Sequence, residues 1–308
     1  MTNEPLVSIC IVTYNSADTI LGTLESANNQ TYKNIELIVS DDCSSDETVT
    51  KCAEWLEKHS TRFVRTNVIT SNKNTGTSAN YNRAIDNAAG DWIKTIDGDD
   101  ILHEDCIQSN MEYVKTNSNA RIVFSDYVRF SINKKGEKIE QQVDCTSMHE
   151  DFYNSSPEKQ YHQLLFRNFL PSYSVFFEGK LIKEYRYDER FKYIEDEPLW
   201  VRLTGDGVKI WAFPKVTSYY RIAESVSKSS QRFYSPIFYE TYQKYFWEDK
   251  YYRIKECKLE AAFDQNKKYL LYFDMCNALF SNNRTCFSFM VMRAINLFIK
   301  KCITFKLV

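Results

Sequence analysis

The sequence has no Gly-x-Gly-x-x-Gly after its first apolar run, and no glycine-rich loop ending in Lys-Ser or Lys-Thr. Both absences count against a dehydrogenase or another nucleotide-binding enzyme of those types, whose backbones must approach phosphate closely at glycine. There is no Cys-x-x-Cys, and the nine cysteines follow no regular spacing, so no zinc site is expected. An odd cysteine count fits a reducing compartment. The four histidines (His59, His103, His149 and His162) form no ligand pattern. No stretch of about 18 uncharged apolar residues occurs, so no transmembrane helix is expected. The polar start Met1 to Pro5 runs at once into a strand-like segment, so no cleavable leader is expected. A formal net charge of -2 gives no pull toward nucleic acid.

What is present is ordinary globular material, with 43% hydrophobic and 26% charged residues over 308 positions. That length holds one large domain with an appendage or two small ones. Val7 to Thr13 is a nearly continuous apolar run, the pattern of a strand buried on both faces. Ser16 is placed to cap a helix carrying Ile20, Leu21, Leu24 and Ala27. Strands are then expected at Ile35 to Val39, Phe63 to Ile69, Trp92 to Ile96 and Ile122 to Ser125. Between them fall helices from Asp46, over Ser78 to Ala89 with Gly90 as C-cap, and around Ile107 to Val114. This alternation predicts an α/β fold with an open, mostly parallel sheet flanked by helices. Lys134 to Pro157 reads as polar and turn-rich, Val208 to Phe213 and Val216 to Arg221 as two strands, and the chain beyond Gln231 as helical.

In such sheets ligands sit beyond the carboxyl ends of the strands. The polar clusters fall there: Tyr14-Asn15, Asp41-Asp42, Asn72 to Gly76, and Asp97-Gly98-Asp99-Asp100. Three carboxylates in four residues repel unless a cation offsets them, and hard oxygen ligands suit Mg²⁺ or Mn²⁺. Alone, that cluster fits equally a metal site or a solvated acidic turn capping the helix near Glu104. Likewise Asp41 to Asp46 fits an N-cap, at Ser45 or Asp46, or a carboxylate facing a uracil imide with Tyr14 stacked on the base.

Read in order, Thr13-Tyr14-Asn15, Asp41 to Asp46, Asn74-Thr75-Gly76 with Asn82, Ala89 to Ile93, Asp97 to Asp100, Ile194-Glu195-Asp196 with Leu199-Trp200 and Arg202, and Tyr220-Arg221 form one series. That series, over residues 6 to about 227, resembles the family-2 glycosyltransferases. The resemblance implies the GT-A fold, with a catalytic domain over 1–230 (nucleotide-binding half 1–126, acceptor half 127–230) and a C-terminal helical region over 231–308. It implies that Thr13, Tyr14 and Asp42 face the nucleobase, Asp97 the ribose, and that Asp99 with Asp97 binds the metal. Asn15, Asn74, Asn82 and Arg221 would complete the donor site. Asp196 would be the catalytic base, with Glu195 and Glu197 raising its pKa by repulsion unless the trio is an exposed acidic loop. Asn168 to Ser174 would line the acceptor side. One departure stands out: Ala223 occupies the place of a His that relatives carry after Tyr-Arg, which leaves the diphosphate to Arg221, Ser225 or Lys228.

The implied function is a metal-dependent, inverting transfer from a nucleotide-sugar, a UDP-sugar by the fit of Asp42 and Tyr14, to a hydroxyl of a glycan or lipid-linked acceptor. Surface-polysaccharide synthesis is the implied setting. The alternative is a non-catalytic scaffold of the same fold that binds nucleotide or partner proteins. Thr285 to Val308 mixes apolar residues with Arg284, Arg293, Lys300, Lys301 and Lys306 close by or within it, and no acidic residue. Such a segment suits peripheral contact with an anionic membrane from the cytoplasm, packing on the catalytic domain, or a homodimer contact.

Overall fold

The computed structural model describes residues 4–132, 137–222 and 235–279. Of these, 4–164 with 169–222 form one compact unit and 165–168 with 235–279 a second.

In the first unit, β1 (Val7–Thr13) leads to α1 (Ile20–Asn28), β2 (Ile35–Asp41) to α2 (Thr48–His59), and β3 (Thr66–Thr70) to α3 (Thr77–Asn87). Then β4 (Trp92–Asp97) leads through the short β5 (Ile101–Leu102) to α4 (Cys106–Thr116). These strands pair in parallel in the order β3-β2-β1-β4. Every residue of β1 and β2 is buried, which is why their sequences are apolar runs rather than alternations. Ile20, Leu24 and Ala27 of α1, Trp55 of α2 and Ile107 of α4 pack over one face with Ile9, Ile11 and Leu37.

Beyond β4 the sheet becomes mixed. The chain continues through β6 (Ile122–Ile132), β7 (Lys138–Val143), α5 (Cys145–Met148), α6 (Glu150–Tyr153) and α7 (Pro157–Phe166). It then forms β8 (Val175–Glu178), α8 (Gly179–Tyr185), α9 (Asp196–Gly205) and β9 (Trp211–Arg221). Among the described residues nine strands make one sheet, ordered β3-β2-β1-β4-β8-β6-β9-β5 with β7 on β6. β8 enters antiparallel between β4 and β6, so the expected fifth strand does not extend the parallel half directly. On the face opposite α1, Trp200 of α9 packs on Phe124 and Phe177.

Several local expectations change. The two strands expected near Val208 and Val216 are one, β9, parallel to β6 with a register shift: Phe213 pairs with Ser125 and Val216 with Asp126. Pro214 and Lys215 bulge between them, and a proline without an N–H is tolerated at a bulge. Residues 137–157 hold β7 and two short helices rather than turns alone. β3 begins at Thr66, since Phe63 follows a 3-10 turn and packs on Trp55. α1 is capped at Thr19, with Ser16 supplying only its carbonyl, and Leu21 is exposed. Gly90 is not a helix cap. α3 ends at Asn87, and a side chain on Gly90 would strike the Ser8 hydroxyl on β1.

The second unit contains α10 (Pro236–Tyr245), a π-helical turn over Phe246–Lys250, α11 (Tyr251–Glu256) and α12 (Glu260–Leu279). Ser235 caps α10 through Phe238 N–H, with Pro236 next in the chain. Asn266 is buried, donating to the Leu165 carbonyl and accepting from the Tyr242 hydroxyl. No helix among the described residues is long and apolar enough to cross a membrane.

Candidate active site

Parallel pairing brings the carboxyl ends of β1, β2 and β4 level: Thr13 faces Asp41 and Val12 faces Asp97. The loops that follow therefore meet at one edge. Asp42 N–H and the Asn80 amide both donate to the Thr13 carbonyl, at 3.0 and 3.2 Å. Asn15 takes a positive φ of 50°, which Asn tolerates better than most residues. Its amide oxygen accepts from Ser45 N–H and its backbone donates to Ser44 Oγ, so it joins the first two loops. Asp46 binds Thr48 N–H and so supports the start of α2. Tyr14 projects from this frame with half its surface exposed.

The next loop is held by Asp42. Its buried carboxylate accepts from Thr75 N–H and Oγ1, Gly76 N–H and the Arg83 guanidinium. Four donors fill its capacity. A nucleobase can share it only if one donor turns away, and the Thr75 hydroxyl is the one free to rotate. Asn74 lies exposed on the same loop. Asn82 is spent internally, bonded to both backbone groups of Tyr187 and to Glu189, so it fastens α3 to a distant loop. Its side chain is thus unavailable to a donor without breaking that link.

The acidic cluster closes the edge. Ligand oxygens of Asp97, Asp99 and Asp100 lie within 4.8 Å of one another. Gly98 is required by close approach: a Cβ there would lie 2.9 Å from Thr13 Oγ1 and 3.3 Å from Ile20. Tyr81 donates its hydroxyl to Asp97 at 2.6 Å. Burial, then the Asp99 charge, pushes Asp97 up to about 6, although Tyr81 and Lys94 pull the other way. Burial also raises Asp99, against the opposing charge of Arg221. Asp100 is fully buried and raised well above the carboxylate range, by burial first and then by Asp97 and Asp99. One of its oxygens accepts from Arg221 N–H at 2.8 Å, and the other is buried with no partner. Arg221 also donates through Nε to the Asp99 carbonyl.

This is more than an acidic turn. Clustered, desolvated carboxylates with an unpaired oxygen form a donor set that fits a hard divalent cation. Asp100, not among the expected metal ligands, belongs to the set. Lys94 lies beneath it, fully buried, donating to the carbonyls of Tyr173 and Val175, and its charge acts on Asp97 and Asp100. A lone lysine inside the apolar run of β4 was a signal that sequence reasoning passed over. Tyr81, sixteen residues before Asp97, gave none.

Asp196 opens α9 and accepts from Glu197 N–H at 2.6 Å. Its charge is felt at Asp97 and Tyr187, which brings it to the acidic edge across about 100 residues of sequence. The trio is not an exposed loop, since Glu197 is buried and its neighbours are half-buried. The carboxyl visibly raised is Glu195, pushed up to about 8 by burial, then Asp196, then Asp97. At the other end of the expected acceptor stretch, Tyr173 stacks on Tyr220 with ring centres 4.2 Å apart. Ala223, Ser225 and Lys228 lie outside the described residues.

The family described as Glycosyl transferase family 2 is matched over residues 8–178. The chain is similar to the UDP-Glc:alpha-D-GlcNAc-diphosphoundecaprenol beta-1,3-glucosyltransferase WfaP of Escherichia coli, at 32% identity over 225 residues. That match spans 72% of this chain and 80% of the relative. Among solved structures, S. aureus TarS 1-349 in complex with UDP-GlcNAc superposes with a TM-score of 0.56 at 19% identity, over 77% of this chain and 64% of TarS 1-349. The mannosyltransferase PcManGT from Pyrobaculum calidifontis, in complex with GDP-Man and Mn²⁺, gives 0.53 at 17% identity, over 74% and 59%. At those identities the structural likeness is one of fold.

Proposed function

The chain belongs to glycosyl transferase family 2, and from that premise we infer how its site transfers a sugar. It is a glycosyltransferase of the GT-A fold working in the synthesis of polysaccharide or lipid-linked glycan. We propose that the donor is a UDP-sugar and that the acceptor is a hydroxyl on a lipid-linked glycan, as the name of the E. coli relative suggests.

The observation that carries this reading is the convergence of Asp97, Asp99 and Asp100, one with an unpaired buried oxygen, at the edge where Tyr14 stands exposed. Tyr14 stacks on the base, beside Thr13, Asn15 and Asn74, with Asp42 accepting from it once the Thr75 hydroxyl turns. Asn82 serves through the loop it fastens. Asp97 lies on the ribose side. Asp99 and Asp97 would hold Mn²⁺ or Mg²⁺, with Asp100 behind them and Arg221 bracing the turn. When bound, the cation offsets the negative charge that gathers on the departing diphosphate.

Asp196 takes the proton from the acceptor hydroxyl. That oxygen forms a bond to the anomeric carbon as the carbon–phosphate-oxygen bond breaks, and UDP leaves with the bonding pair. One base on one side gives inversion in a single displacement. Residues 285–308 lie outside the described residues. Their basic, apolar composition supports peripheral contact with the cytoplasmic face of the membrane holding such an acceptor, and a homodimer contact is its other use.

Titration calorimetry with UDP tests the donor side. Binding is expected only with Mn²⁺ or Mg²⁺ and is lost in Asp99→Ala; no binding of any nucleoside diphosphate would sink the reading. Asp196→Asn is expected to abolish transfer while leaving UDP affinity within about twofold. Survival of transfer in that variant removes Asp196 as the base.

A further inference from the structure

On the sheet face beside the acidic cluster, β6 and β9 run parallel with Arg129 opposite Tyr220. Tyr127, two residues before Arg129, shares its face. Tyr173 stacks on Tyr220 with its ring 14° from parallel, and Tyr127 meets Tyr173 edge-on at 4.7 Å. The result is a shelf of three phenol rings, with Tyr127 buried at its back and Tyr173 and Tyr220 half-buried in front. Its far end borders the donor site directly. The charges of Asp100, Asp97 and Asp99 all act on the Tyr220 hydroxyl, and the next residue, Arg221, binds the cluster's backbone.

Arg129 stands at the near end. Its guanidinium lies 5.7 Å from the Tyr127 ring centre and donates to the Tyr127 hydroxyl at 3.0 Å, with Tyr173 its other neighbour. Among the described residues it has no carboxylate partner, unlike Arg65, Arg83, Arg121, Arg186, Arg190 and Arg253. With phenols as its partners among the described residues, this half-buried guanidinium has further N–H groups to offer an anion, and its fork matches phosphate. Aromatic shelves suit the apolar face of a sugar ring, and hydroxyls along their edge suit its oxygens.

We propose that Tyr127, Arg129, Tyr173 and Tyr220 form an acceptor subsite for a glycosyl diphosphate, with the sugar on the tyrosine shelf and the phosphates on Arg129. The proposal rests on the glycosyltransferase reading above and names its acceptor class. The same phosphate chemistry could come from the donor, so the experiment separates the two sources.

Two acceptor probes are compared: an alkyl diphosphate carrying N-acetylglucosamine, and the alkyl glycoside of the same sugar without phosphate. The wild-type protein is expected to favour the diphosphate probe. Arg129→Gln raises the acceptor KM for that probe by about tenfold or more, equivalent to ~1.4 kcal/mol, and erases the preference. It leaves the donor KM and the UDP affinity with Mn²⁺ within about twofold. Arg129→Lys recovers part of the preference, and Tyr173→Leu raises KM for both probes. An equal loss on both probes in Arg129→Gln, or a fall in UDP affinity instead, overturns the subsite. Calorimetry with the alkyl diphosphate probe alone is the independent arm. If no donor supports transfer, the enzymatic reading fails, while binding by the wild type and its loss in Arg129→Gln still upholds the subsite. Equal binding by both proteins overturns it.

Discussion

Glu195 sits beside Asp196 at the start of α9, where burial and neighbouring charge move its carboxyl from 4.5 up to about 8. Between those values the folded chain keeps a proton that the unfolded chain releases. Stability of the metal-free protein therefore falls as pH rises from about 4.5 to about 8, with the loss complete above that window. Glu195→Gln is expected to flatten this slope in thermal melts recorded across the range, and an unchanged slope would show that other groups set it. Gly98 offers a steric test on the same edge. An alanine Cβ would press on Thr13 and Ile20, so Gly98→Ala should cost on the order of 1–3 kcal/mol in urea unfolding. The candidate site residues easiest to read from sequence were those in short polar clusters after apolar strands, such as Tyr14, Asp42 and Asp99. Lys94 and Tyr81 escaped because their roles depend on what lies across the sheet from them.

The elements differ in how openly the sequence announces them. β1 and β2 are nearly continuous apolar runs because both faces are covered, and composition alone announces both, although β2 runs on to Asp41, past the expected end at Val39. β8 begins just after the Asn168 to Ser174 stretch read for the acceptor side and was not expected, since nothing local marks an antiparallel strand that inserts between β4 and β6. β9 looked like two strands because Pro214 interrupts its pattern, and only pairing with β6 shows one strand with a bulge. α3 illustrates how an element is anchored. Asn82 makes three hydrogen bonds from a buried amide to the loop at residues 187–189. Asn82→Ala leaves backbone groups of Tyr187 unpaired and should lower stability by about 2–4 kcal/mol. The urea midpoint would report it, with UDP affinity falling as the loop loosens.

For the molecule as a whole, ligands that bind only the folded state shift its unfolding by mass action. Mn²⁺ at about 100 times its dissociation constant should add ~2.7 kcal/mol of stability, and Asp99→Ala should abolish the shift in a thermal melt. The basic segment beyond the described residues has its own test. A chain ending at residue 279 should float less with vesicles containing anionic phosphatidylglycerol than the full chain, whereas equal flotation would place any membrane contact elsewhere.

The sequence by itself determined the alternation of β1 to α4, because burial on two faces and helical periodicity are local patterns. It also determined that polar loops gather at one edge, since parallel strands with short connections leave them no other end. The tertiary structure decided which groups share that edge. It brought Asp196 to Asp97 across about 100 residues, buried Lys94 beneath Asp100, and committed Asn82 and Asp42 to internal bonds. It also set Arg129 beside Tyr220 through the register of β6 and β9. Those outcomes depend on contacts between segments far apart in the chain, where desolvation and hydrogen-bond capacity, rather than local composition, fix what each side chain can do.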